Sequence, residues 1–82
     1  MVERSMDQIF NRITIDPEVL GGKPTFRHLR ISVETILEFL AAGESEAEIL
    51  RQFPVLEKED IKAALEFATQ LMKHKYTVKA AA

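Results

Sequence analysis

The stretch Ser32-Val33-Glu34-Thr35-Ile36-Leu37-Glu38-Phe39-Leu40-Ala41-Ala42-Gly43 decides how the rest of the chain is read. Val33, Ile36, Leu37 and Leu40 fall at i, i+3, i+4 and i+7, which gathers them on one face of a helix. Glu34, Thr35 and Glu38 fall elsewhere on the same turn pattern. Ser32 stands at the N-cap, where its hydroxyl can accept a backbone amide that the first helical turn leaves unpaired. Gly43 stands at C′, the position that favours a left-handed backbone. The spacing predicts one helix between these two signals.

Downstream, the same grammar repeats twice. Ser45-Glu46-Ala47-Glu48 is a capping box, with Ile49, Leu50 and Phe53 as the apolar face behind it and Pro54 as the stop. A third helix is expected to start near Glu57. Leu56 and Ile61 hold the N′ and N4 spacing of a hydrophobic staple. Ile61, Ala64, Leu65, Ala68, Leu71 and Met72 then form the longest apolar stripe in the chain. Glu57, Glu59 and Asp60 crowd the first turn and Lys73, His74 and Lys75 the last, both favourable to the helix dipole.

Upstream, helical periodicity is lost. Ile13-Thr14-Ile15 is β-branched at every position and reads as a strand. Asp16-Pro17 ends it, and Gly21-Gly22 supplies a turn. A second extended stretch is expected over residues 26–31, so that a small antiparallel hairpin precedes the helices. Residues 6–10 carry a weak signal for one helical turn. The expected organisation is one domain over residues 1–82, with an N-terminal ribbon and basic loop (1–32), a three-helix unit (33–73) and a basic tail (74–82).

The 82 residues include 11 Lys plus Arg, 13 Asp plus Glu and no Cys. A chain this short builds a thin core that a partner copy would reinforce. The net charge of −2 argues against a protein that is basic all over, as general polyanion binders are. That total hides a division. Residues 1–32 carry +1, residues 33–66 carry −6 and residues 67–82 carry +3. The absence of Cys gives no sign of an oxidising compartment. No apolar run approaches membrane-spanning length. Acids among the first seven residues are unlike a secretory leader, so a cytoplasmic location is expected.

Several of these segments together resemble domain-of-unknown-function family 433, a small bacterial family. They are residues 13–24, ending in Gly21-Gly22-Lys23-Pro24, then Arg30-Ile31-Ser32-Val33, Ala42-Gly43, residues 45–54, and Glu59-Asp60-Ile61 with Ala63-Ala64-Leu65. The resemblance covers about residues 12–70. It implies a mainly α fold, a homeodomain-like (helix-turn-helix) three-helix domain behind a short ribbon, and no established enzymatic activity. It also implies kinship with VapB-type antitoxins, which are encoded beside a PIN-like ribonuclease toxin, bind that toxin and often bind operator DNA. The chain departs from the family pattern at His28-Leu29, where members carry Gly-Thr. It departs again at Glu57, where members carry Ser or Thr.

Three sets of residues are candidates for contact. Lys23, Arg27, His28 and Arg30 form a loop without acids that suits phosphate or an acidic partner, although three cations are few and a solvated basic loop is the plainer reading. Glu44, Glu46, Glu48, Glu57, Glu59 and Asp60 suit a basic protein surface. The last three lie where a helix-turn-helix protein would face base edges, and there they would repel phosphates. Phe39, Phe67 and Leu71 widen the apolar stripes beyond one core and are candidates for a homodimer face.

Gly22-Lys23-Pro24-Thr25 lacks the upstream glycine of a phosphate-binding loop, since position 17 is Pro17, and reads as a turn. The two histidines lack metal-ligand spacing, and no nucleophile or acid–base pair stands out. Neither catalytic residues nor a cofactor is expected. The resemblance, more than the chemistry of the residues, therefore implies an antitoxin-like or regulatory binding protein that is dimeric and engages a toxin-type ribonuclease, with operator DNA as a further partner. A homodimerising interaction module is the alternative.

Overall fold

The computed structural model describes residues 11–81, with side chains as far as Lys73. Two strands, β1 (Ile13–Ile15) and β2 (Pro24–Phe26), pair antiparallel with Ile13 opposite Phe26, Thr14 opposite Thr25 and Ile15 opposite Pro24. Three helices follow: α1 (Val33–Ala41), α2 (Glu46–Gln52) and α3 (Lys58–Ala81). The expected mainly α domain with an N-terminal hairpin is the observed one. The expected turn over residues 6–10 and the His74 side chain lie outside what is described.

The hairpin loop is built from local bonds. The Asp16 carboxylate accepts the Glu18 amide at 2.9 Å, and the Asp16 carbonyl accepts the Val19 amide at 2.9 Å. A single 3-10 turn (Leu20–Gly22) then brings the chain back, with φ of +49° at Leu20, +67° at Gly21 and +89° at Gly22. Only glycine adopts such angles without strain, which is why the pair sits here.

The second strand lies earlier than residues 26–31. β2 starts at Pro24, whose missing N–H is tolerated at the first residue of a strand. It ends at Phe26 because Arg27 and His28 take φ of +46° and +65° and turn the chain away from the ribbon. The Phe26 amide instead bonds the Ile31 carbonyl, closing this second turn.

The helix ends behave as their sequences dictate. The Ser32 hydroxyl accepts the Thr35 amide at 3.0 Å. At the other end of α1, Glu44 N–H reaches the Phe39 carbonyl and Gly43 N–H reaches the Leu40 carbonyl, both at 3.0 Å. With Gly43 at φ +97°, this is a Schellman end. Ser45 accepts the Glu48 amide at 3.1 Å, but only that half of the α2 capping box forms. Arg51 and Gln52 hold the Glu48 carboxylate instead.

At α3 both residues of the expected staple are buried in the core, Leu56 5% and Ile61 0% exposed. The helix does not stop at residue 73. Its backbone continues through the expected tail to Ala81, since no Gly or Pro follows Pro54 to end it.

The core joins one face of the ribbon to all three helices: Ile13, Phe26, Val33, Ile36, Ile49, Leu56, Ile61, Ala63, Ala64 and Phe67. Ile13 and Phe26 face each other across the ladder and cover the helices together. Two short strands alone would be marginal in water, and this packing is what fixes them. Among the described residues, no helix is long and apolar enough to cross a membrane.

Candidate functional site

Asp60 is the third residue of α3, and its side chain is wholly buried. A buried carboxylate needs partners for both oxygens. Here every partner comes from elsewhere in the chain. Arg27 approaches side-on, with Nε 3.1 Å from Oδ1 and Nη2 2.7 Å from Oδ2. Arg12 adds a bond from Nη1 to Oδ1 at 3.0 Å, and the Glu57 amide donates to Oδ2 at 2.8 Å. The last contact is the reciprocal half of a capping box, so Asp60 supplies the α3 start with the cap that Glu57 cannot.

Arg27 also donates to the Val55 carbonyl at 2.8 Å, and Arg12 also reaches Glu57 at 2.6 Å. One cluster thus ties the residue before β1, the turn after β2 and the α2–α3 connection to the head of α3.

The electrostatics follow from that geometry. Burial pushes the Asp60 carboxyl up, but the hydrogen bonds from Arg27, from the Glu57 amide and from Arg12 outweigh it. The carboxyl therefore titrates below the usual carboxylate range. The Arg27 guanidinium is held above its ordinary value, chiefly by its hydrogen bonds to Asp60. With four hydrogen bonds made, this carboxylate has no lone pair aimed at a reacting group.

The structure thereby separates the residues that the sequence grouped. Arg27 leaves the basic loop and Asp60 leaves the acidic surface, because they bind each other. Lys23 lies 3.2 Å from Glu34 in an exposed ion pair, while His28 and Arg30 are exposed. On the acidic side, Glu46 and Glu59 are exposed and border a cavity of about 450 Å³ with Lys58, Lys62 and Leu65. Glu44 is half-buried, Glu48 is bound by Arg51, and Glu57 is bound by Arg12.

The three apolar candidates also part company. Phe39 packs on Phe53 with ring centroids 5.6 Å apart, Phe67 is in the core, and only Leu71 stands exposed, at 47%. Arg12 was missing from every sequence-based set. Asp60 could have been placed by its spacing, since residues 60, 64 and 67 share one helix face and an acid on an apolar stripe demands a buried cation.

A second surface lies midway along α3. Leu37 and Ala41 of α1 face Phe67, Ala68 and Leu71 of α3 across an apolar groove of about 420 Å³. Glu34 and Glu38 stand on its rim. Among the described residues, no group of three or more His, Asp or Glu side chains is placed to hold a metal ion.

Comparison with known proteins agrees with this architecture. Residues 13–68 match the model of a family described as "Protein of unknown function (DUF433)". The uncharacterized protein y4eO of Sinorhizobium fredii is 36% identical over 56 residues, which are 68% of this chain. The chain spans about a quarter of the length of that curated relative. The crystal structure of a DUF433 member from Anabaena variabilis superposes with a TM-score of 0.73 at 30% identity, over 89% of this chain and 72% of that one.

Proposed function

The chain belongs to the DUF433 family, and on that premise we propose that it is a non-enzymatic, antitoxin-like binding module whose partner is a toxin-type ribonuclease. The reading rests on the acidic face between α2 and α3. Glu46 and Glu59 are exposed there, with Lys58 and Lys62 beside them, around the half-covered Leu65, so the face offers two carboxylates among mixed charges at an apolar centre. An RNA-binding cleft is lined by cations that would otherwise hold phosphates, and Glu46 and Glu59 are the carboxylates this face offers to them. The saturated Asp60 carboxylate supports the non-enzymatic half, because the one buried acid among the described residues is occupied by structural bonds. That the matched unit fills only about a quarter of a longer relative suits a module.

Operator DNA is the second partner in this reading, and its contact rests on Lys23, His28 and Arg30. With Arg27 bound to Asp60 and Lys23 shared with Glu34, few cations remain for phosphates. The protein partner is the primary one.

The test uses a purified toxin-type, PIN-like ribonuclease. Isothermal titration should show tight binding, and Glu46→Lys with Glu59→Lys should weaken it about tenfold or more. Unchanged affinity in the double variant contradicts the acidic face as the contact. For DNA, Lys23→Ala with Arg30→Ala should flatten the salt dependence by about two phosphate contacts. An unchanged slope removes the DNA half.

A further inference from the structure

We infer that the groove between α1 and α3 is the seat of a second copy of this chain, in a twofold dimer where each α3 lies across its partner's groove. This surface is distinct from the acidic face, and the inference does not depend on the ribonuclease reading.

The argument starts with lengths. α1 has 9 residues and α3 has 24, so α3 runs about 22 Å further than α1 at 1.5 Å per residue. Core burial on α3 ends at Phe67. From there to Ala81 the helix has no buried residue among those described, and Leu71 and Met72 are 47% and 53% exposed. A helical extension of that size is marginal in water unless something packs on it.

Among the described residues, the chain itself offers no cover. Residues 74–81 continue the very helix that walls the groove, and a straight helix cannot fold into the groove it lines. Residues 1–10 carry two acids and one base, so their net charge has the same sign as the rim.

Charge selects the occupant. The rim carries Glu34 and Glu38; Glu34 pairs with Lys23 at 3.2 Å, and Glu38 makes no ion pair among the described residues. The sequence after Glu66 contains Lys73, Lys75 and Lys79 and no acid. A second copy therefore brings a basic helix to an acidic groove. Leu71 belongs to both partners of that contact, since it walls the groove and stands on the projecting part of α3. A residue that is both socket and insert is what a self-complementary twofold interface requires. Ala41 and Ala68 leave room for the close approach of the second helix.

Sedimentation velocity on the full chain, from micromolar to about 100 µM, tests this. The wild type should be a dimer that dissociates on dilution and weakens with salt. Leu71→Arg should raise the dimer dissociation constant about 30-fold or more. Its circular dichroism should stay unchanged, because the side chain lies outside the core. Reversing the rim (Glu34→Lys with Glu38→Lys) or the helix (Lys75→Glu with Lys79→Glu) should weaken the dimer, and the two sets combined should restore it. A wild-type monomer at about 100 µM overturns the proposal, including one whose groove accepts an added basic peptide. A dimer indifferent to Leu71→Arg overturns it as well.

Discussion

At its first turn α3 carries a carboxylate that accepts four hydrogen bonds and is sealed from solvent. Roughly three turns later the same helix carries Leu71, half in water beside an apolar groove. The two ends obey different constraints. A buried charge cannot be left without partners, so the chain must close around Asp60 in every copy. Exposed apolar area costs far less per residue, so the distal end can remain uncovered until something docks on it. The head of α3 is therefore a structural clasp, and its far half is the surface available for association.

Breaking the clasp should have the largest effect. Arg27→Ala leaves a buried carboxylate with only Arg12 and the Glu57 amide, and should cost about 2–3 kcal/mol in urea unfolding. Leu71→Ala at the open end should leave monomer stability within about 0.5 kcal/mol. Equal losses at both ends would erase the distinction.

Acid sharpens it further. The Asp60 carboxyl titrates lower in the folded chain than in the unfolded one, so its ionised form is the stabilising one. That stability is complete above the unfolded value near about pH 4 and drains away as pH falls through the folded value. Arg27→Ala should flatten this acid limb, and unfolding followed between pH 2 and 6 (about the range where carboxylates titrate) reads it.

The helix ends were legible because their bonds are short in sequence. The Ser32 and Ser45 caps, the Gly43 stop and the Leu56–Ile61 staple each span only a few residues. The clasp is not, because Arg27 and Asp60 are 33 positions apart and charge alone places them on opposite surfaces. The end of β2 was misplaced for a related reason. Arg27 and His28 take positive φ without being Gly, so the turn that aims Arg27 at α3 has no turn signal in its residues. The full extent of α3 is hidden because its basic, alanine-ended last stretch resembles a tail, although nothing in it breaks a helix.

Smaller effects fall between the two ends. Gly43→Ala forces a side chain into φ +97° and should cost about 1 kcal/mol. Ser32→Ala removes the α1 cap and should cost about the same. Arg51→Ala breaks an exposed pair with Glu48, and its thermal midpoint should match the wild type.

Amide hydrogen exchange along α3, measured across a dilution series, compares its two halves in one experiment. Residues 60–67, closed by the clasp and core, should be equally protected at every concentration. Amides beyond Phe67 should gain protection only as the concentration rises through the dimer dissociation constant. Distal protection that is independent of concentration would contradict the open end as an association surface.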